Sequence, residues 1–201
     1  MMVVAIGASV AFVSCNKTNS SAPGAGGDSS KMTAASMSPV ERGKYLVTIA
    51  SCNDCHTPWK MGPKGPEQDM SRMLSGHPEG MPMPPAPQNG MPWAVSGAIT
   101  LTAWSGPFGT SFTANLTPDS ATGLGKMTEA DFIKTLRTGL MYPSNRPIMP
   151  PMPVEYVKQM TDDDLKAVYA YLRSIPPVKN KVPDYIPPAG AGMPPGAPPA
   201  H

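Results

Sequence analysis

Charge is scarce in this chain. Of its 201 residues only 15% are Asp, Glu, Lys or Arg, and the net charge is +2. That balance excludes a basic nucleic-acid footprint and an acidic interaction tail. Cysteine is scarcer still, with three in the whole chain and three histidines beside them. A zinc site built from two cysteine pairs cannot be assembled from that stock. No apolar run is long enough to span a bilayer. The longest apolar-or-small stretch, residues 1–14 (MMVVAIGASVAFVS), is too short for that purpose and right for the core of a signal peptide. What the chain has in excess is proline, with 27 residues, and glycine, with 19. Together they approach the ~25–30% at which aperiodic composition signals disorder. The 40% of hydrophobic residues supports a core provided that the prolines and glycines stand mostly outside it, and they do.

The composition divides the chain. Residues 1–14 end in Phe12-Val13-Ser14, and with the following Cys15 this string resembles the signal box of bacterial lipoproteins, which implies a lipid on Cys15. Residues 15–37 are Ser, Gly, Ala and Thr with hardly an apolar side chain, so nothing there offsets the entropy of ordering. They read as a flexible tether with a mean reach of about 25 Å. Residues 38–183 hold the foldable domain, large enough to bury a core of its own. Pro-rich residues 184–201 read as a disordered tail.

Three helices announce themselves inside the domain. Ser38-Pro39-Val40-Glu41 combines an N-cap serine, a proline at the first helical position and a glutamate three places on, so a helix runs to about Ala50. Val40, Leu46, Val47 and Ile49 are its candidates for packing. Thr128 opens a second, in which Phe132, Ile133 and Leu136 follow helical spacing and Gly139 is the stop. Thr161 opens a third with Asp162, Asp163 and Asp164 at the positive end of its dipole. Leu165, Val168, Tyr169, Leu172 and Ile175 then recur at helical intervals until Pro176-Pro177. Residues 57–127 lack strong periodicity. So long a stretch needs an organiser, which a large bound cofactor would be. A short hairpin near Ala98 to Ala103 is the one strand signal in it.

Cys52-Asn53-Asp54-Cys55-His56 follows the first helix directly. In a C-x-x-C-H the two thiols add to the vinyl groups of a haem as thioethers, and the adjacent histidine is brought under the iron as its proximal ligand. A thioredoxin-like dithiol would need a βαβ context, which is missing, and a disulfide between cysteines three apart is strained. The sixth position of the iron has three candidates. Met152 stands on a proline-stiffened loop, Met149 lies on the same loop, and His77 would make a bis-histidine site, although its place between Gly76 and Pro78 suggests a solvent-facing loop residue. Thioether ligation favours ferrous iron and raises the potential. A backbone carbonyl at Gly65-Pro66, or at Gly62-Pro63, would fix the tautomer of His56. Trp59, Trp93, Trp104, Phe108 and Phe112 supply aromatic walls.

These residues resemble a class I c-type cytochrome: a helix leading into C-x-x-C-H, a late Met-Pro loop, and a last helix with Ala170-Tyr171-Leu172. The resemblance implies an all-α class I cytochrome c fold around one haem. Its N- and C-terminal helices would cross at Gly43 and Tyr171/Leu172, beside a middle helix and a long Pro/Gly-rich loop. A narrower likeness covers about Arg42 to Pro183. Its strings are Ala114-Asn115-Leu116-Thr117-Pro118-Asp119, Thr122-Gly123-Leu124-Gly125, Leu136-Arg137-Thr138-Gly139 and Met152-Pro153. They are similar to haem modules in the cytochrome subunits of bacterial membrane-bound dehydrogenases, where the methionine matching Met152 is the axial ligand.

The expected function is therefore electron transfer by a single covalent haem c with His56 and Met152 as axial ligands, in a non-enzymatic carrier. It would be held by the lipid on Cys15 at a membrane in the periplasm or on the cell surface. A dehydrogenase would be the donor and an oxidase or another cytochrome the acceptor, with Val154 to Lys158, Lys60 and Lys64 framing a docking face. The competing expectations are a haem peroxidase with an open iron site and, more remotely, a copper module built on Met81, Met83 and Met91.

Overall fold

The computed structural model describes residues 37–85 and 95–188. The expected signal peptide, Cys15 and the expected tether up to residue 36 lie outside the described residues, as do Met91, Trp93 and everything beyond residue 188.

Five helices form among the described residues: α1 (Pro39–Ile49), α2 (Cys52–His56), α3 (Glu129–Thr138), α4 (Val154–Val157) and α5 (Asp162–Ser174). The capping box of α1 is present, with the Ser38 side chain on the Glu41 amide and the Glu41 carboxylate on the Ser38 amide. Thr128 and Thr161 cap α3 and α5 through Asp131 N and Asp164 N, and Gly139 closes α3 at φ 69°. Each of the three long helices thus begins and ends where its local chemistry dictates.

The fold is not all-α. Among the described residues seven short strands form three small antiparallel sheets: β1 (Trp59–Gly62) with β2 (Gly65–Gln68), the three-stranded β3 (Ser96–Gly97), β4 (Ala103–Gly106), β5 (Gly109–Phe112), and β6 (Leu140–Met141) with β7 (Arg146–Pro147). The cause lies in two turns of the same composition, Gly62-Pro63-Lys64-Gly65 and Gly106-Pro107-Phe108-Gly109, each joining two four-residue strands. Proline presets the second turn position and glycine takes the last, at φ +119° for Gly65 and +89° for Gly109. The prolines that keep this region from being helical thus nucleate hairpins instead. The hairpin expected near Ala98 to Ala103 is the β3–β4 pair, in which residues 98–102 are the connection and Ala98 N donates to Ala103 O at 2.8 Å; β4 then continues into a second hairpin with β5.

α1 packs on α5, and the contact is unusually close. A Cβ on Gly43 would lie 1.9 Å from the Ala167 carbonyl oxygen and 2.7 Å from the Tyr171 Cβ. Backbone meets backbone there, so Gly43, Leu46 and Val47 form the buried stripe of α1. Val40 and Ile49, expected to pack as well, are 40% and 58% exposed because they lie off that stripe. Around the contact gather Leu74, Leu124, Phe132, Val168, Leu172 and Ile175.

The chain beyond α5 is part of the fold. Asn180 is fully buried. Its Oδ1 accepts from Arg72 Nη2 and Glu79 N, both at 2.7 Å, and its Nδ2 donates to the carbonyls of Ser75 and His77 at 2.7 and 2.8 Å. Asn115 Nδ2 donates to the carbonyls of Val178 and Asn180. Two buried amides therefore stitch residues 178–180 to segments 101–108 and 63–65 positions earlier in the chain. Asp119 supports the same knot by accepting from Thr122 N and Oγ1, both at 2.7 Å, while Thr122 Oγ1 accepts from Asn180 N. Past residue 183, where a disordered tail was expected to begin, Ile186 still pairs with Thr110.

Two outcomes test this. Gly43→Ala should cost about 3 kcal/mol of folding stability, read as a lowered denaturation midpoint, because the neighbour is backbone and cannot move aside. The hydrogen bonds from Thr122 and Ala121 hold the Asp119 carboxyl below its ordinary value of 3.8. Its stabilisation is thus complete above that pH and lost as the pH falls through the lower folded value. An Asp119→Asn variant should accordingly show a flatter acid limb in a plot of denaturation midpoint against pH.

Candidate haem site

α1 ends at Ala50, and Ser51 takes a left-handed conformation at φ 55° before α2 starts at once with Cys52. That residue turns the chain, so the motif stands on a short helix of its own. Cys52 and Cys55 are three apart and so share one face of it. The helix is anchored at its far end. Thr57 N donates to Asn53 O at 3.0 Å, Thr57 Oγ1 donates to Asn53 Oδ1 at 2.8 Å, and Leu74 N donates to Thr57 Oγ1 at 2.9 Å. Burial pushes the Cys52 thiol up to about 11 and raises that of Cys55 as well. A redox dithiol works through a lowered thiol value, which these cysteines lack.

His56 is held by a bond that was expected elsewhere. Its Nδ1 donates to the carbonyl oxygen of Ala114 at 2.8 Å, across 58 residues. The Gly65-Pro66 and Gly62-Pro63 carbonyls instead belong to the β1–β2 hairpin. Donation from Nδ1 leaves Nε2 with its lone pair free, which is the tautomer an iron ligand needs. Burial holds the imidazole below its usual value, so it is neutral at pH 7. The histidine backbone is tied too, since Gly76 N donates to His56 O at 2.8 Å. Gly76 sits at φ +77°, and a Cβ there would lie 2.3 Å from the Thr113 carbonyl oxygen, so only glycine fits.

His77 is not a solvent-facing loop residue. It is fully buried, its ring centroid lies 4.9 Å from that of Phe112, and its Nδ1 is 3.0 Å from Thr102 Oγ1. The reason is Asn180, which holds the His77 carbonyl from the far end of the chain. No short motif around residue 77 carries that information.

Met149 and Met152 are both half-buried, on the loop between β7 and α4. Three bonds shape the loop: Ile148 N to Gly139 O at 2.8 Å, Ser111 Oγ to Pro150 O at 2.6 Å, and Met152 N to Met149 O at 3.3 Å. Ser111 thus ties β5 to the methionine loop, a role that nothing in the sequence analysis assigned. Met83 is 39% exposed, and among the described residues no group of three His, Cys, Asp or Glu side chains gathers to hold a metal ion.

The residues present fit a haem. Five buried side-chain polar atoms lack a partner among the described residues, and four of them fall in one region: Ser75 Oγ, His77 Nε2, Trp104 Nε1 and Thr113 Oγ1. These segments are bonded to one another and to His56. His77 N donates to Thr113 O, Thr113 N donates to Thr102 O, and Gly76 N donates to His56 O. Unpaired buried polar groups are costly. A haem is apolar but for its two carboxylates, which suit the donors among these atoms, the Trp104 indole N–H and the hydroxyls of Ser75 and Thr113; His77, donating from Nδ1 to Thr102, keeps only a lone pair at Nε2. Cys52, Cys55 and His56 would hold the ring and the iron, with the Trp104 N–H left as a donor for a carboxylate.

A helix ending in C-x-x-C-H, a tautomer-fixed histidine and a last helix crossing the first define a covalent haem protein of the cytochrome c type. The chain belongs to the cytochrome c family, whose model matches residues 40–176. It is 28% identical over 148 residues to the cytochrome c subunit of a quinone alcohol dehydrogenase from Gluconobacter oxydans (strain 621H), which covers 72% of this chain and 24% of that protein. It is 30% identical over 140 residues to the gluconate 2-dehydrogenase cytochrome c subunit of Pantoea cypripedii, covering 69% and 24%. It is 28% identical over 133 residues to the fructose dehydrogenase cytochrome subunit of Gluconobacter japonicus, covering 66% and 20%. The chain thus spans about a quarter of the length of these relatives. The domain is an electron-transfer domain with covalent haem c, and the relatives are cytochrome subunits, not catalytic ones.

Replacing Trp104 with phenylalanine keeps the ring and removes the donor. Less of the haem carboxylate charge is then neutralised and ferric iron gains, so the reduction potential should fall by tens of millivolts, the equivalent of about 1 kcal/mol in a one-electron couple. Voltammetry of the two holoproteins checks it.

Proposed function

We propose that this chain is a single-haem electron carrier with His56 and Met152 as axial ligands, serving a dehydrogenase at a membrane outside the cytoplasm. The observation that carries the reading is the His56 imidazole, pinned through Nδ1 to Ala114 with Nε2 bare, in a chain with one C-x-x-C-H. A haem bound there supplies one reversible electron per cycle at its iron. The protein's part is to fix the ligand, exclude water and hold the potential. α1, α5 and the Leu74 and Leu124 side chains form the dry wall behind α2, and the hydroxyl of Ser111 holds the loop that bears Met152.

Met152 is preferred to Met149 because it follows the anchored Pro150 carbonyl and its own carbonyl accepts from Val154 N at 2.9 Å, at the start of α4. Attachment through a lipid on Cys15 and a tether over residues 15–37 would place the domain in the periplasm or at the cell surface. No helix among the described residues is long and apolar enough to cross a membrane. A dehydrogenase is the proposed donor and an oxidase or second cytochrome the acceptor, in keeping with the relatives. The docking face around residues 154–158 is only mildly charged: Lys158 pairs with Glu155, and Lys60 with Asp69 at 3.1 Å. Electrostatic steering of the partner is weak as a result.

The test is optical. Ferric wild-type holoprotein should be low-spin with a sulfur-to-iron charge-transfer band, and Met152→Ala should lose the band and become high-spin. Its potential should fall by well over the ~59 mV that corresponds to a tenfold change in the relative affinity of the ligand for ferrous and ferric iron. A band that survives in Met152→Ala transfers the role to Met149. A wild-type protein that is already high-spin points instead to an open iron and peroxidase-type chemistry.

A further inference from the structure

Residues 184–188 leave the domain core and return along the outer edge of the β3–β4–β5 sheet. Ile186 exchanges both backbone bonds with Thr110, N to O at 2.7 Å and 2.9 Å. Ser111 follows Thr110 directly, and its hydroxyl donates to the Pro150 carbonyl of the methionine loop. Tyr185 is fixed on either side of that contact. Its hydroxyl donates to Phe108 O at 2.5 Å in the β4–β5 turn, and the Arg146 guanidinium lies 5.3 Å from its ring centroid. Arg146 in turn donates from Nη1 to Pro147 O at 3.1 Å, at the residue where the chain enters the loop. The approach is built for backbone contact. A Cβ on Gly109 would lie 2.2 Å from Ile186 O, and Gly109 sits at φ +89°, where a side chain would be strained. Ile186 itself is 55% exposed, so this segment is not held by burial of its side chain.

We propose that residues 184–188 form a strap that positions the sixth iron ligand: through Ile186 it braces the strand bearing Ser111, and through Tyr185 and Arg146 it braces the entry to the Ile148–Pro153 loop. The inference rests on methionine ligation from that loop. Without the strap β5 is an open edge strand, and an unpaired edge is free to shift. The loop's long-range bonds are few, Ile148 to Gly139 and Pro150 to Ser111, so a loosened β5 removes support from the second of them. Tyr185 and Ile186 are positioning residues, acting through Thr110, Phe108 and Arg146.

Imidazole added to the ferric holoprotein reads the strap, because it takes the sixth position only when the methionine loop lets go. Its apparent affinity rises in proportion to the open fraction. Two full-length variants suffice: Ile186→Pro, which deletes the donor to Thr110, and Tyr185→Phe, which deletes the bond to Phe108 and keeps the ring over Arg146. The expected result is imidazole binding about tenfold tighter in the first and about fivefold tighter in the second, with haem content unchanged. Should Ile186→Pro fail to take up haem, Tyr185→Phe carries the test alone. A lowered thermal midpoint with wild-type imidazole affinity means a merely structural role and overturns the proposal. A wild-type ferric spectrum without the sulfur-to-iron band removes methionine ligation, and the strap's role with it. A wild-type band with unchanged affinity in the variants overturns the strap alone.

Discussion

The hydrogen bond from His56 Nδ1 to the Ala114 carbonyl is the constraint around which the domain is arranged. An imidazole needs one nitrogen occupied for the other to be a dependable ligand, and the occupying group must not itself move. A carbonyl in the middle of a loop would be a poor choice unless that loop were fixed, and here it is fixed on both sides. Thr113 is bonded to Thr102 and His77, and Asn115 is buried with its amide spent on Val178, Asn180 and Thr117. The rigidity of one acceptor is thus distributed over several segments, none of which touches the histidine ring.

The same logic explains why a domain with so much proline and glycine holds together. Its helical part, α1 against α5, follows ordinary packing, with a glycine letting two backbones meet. Its irregular part cannot bury large apolar faces and relies on side-chain amides and hydroxyls that satisfy backbone groups directly. Asn115, Asn180, Thr57, Thr117 and Thr122 each replace a stretch of ladder that a longer sheet would have supplied. Within this framework the Trp104 indole N–H and the hydroxyls of Ser75 and Thr113 stay unpaired, and they are the donors that the prosthetic group's carboxylates would require.

Legibility in the sequence followed the range of each interaction. The caps of α1, α3 and α5 and the C-x-x-C-H were readable because every residue that makes them lies within a few positions. The strands were not, being two to four residues long with no alternation to detect; the signal was in the Gly-Pro-x-Gly turns, which fix both hairpins yet read as loops on their own. Ala114 could not be found as the partner of His56, since a backbone carbonyl has no residue signature, although the string Ala114 to Asp119 stood out as a family likeness. His77 passed for a surface residue because its burial depends on Asn180, 103 positions further on. Ser111 and Tyr185 were invisible for the same reason.

The knot at Asn180 also orders events in time. A chain made from its amino end exposes Cys52 to His56 long before residue 180 exists, so the bonds from Asn180 to Ser75, His77, Glu79 and Arg72 are among the last that can form. Until residue 180 follows, the segment from Arg72 to Glu79 has no partner for those four bonds. The wall beside the attachment motif is thus closed from a hundred positions downstream, and a cut between the two would leave the motif intact but its surroundings open.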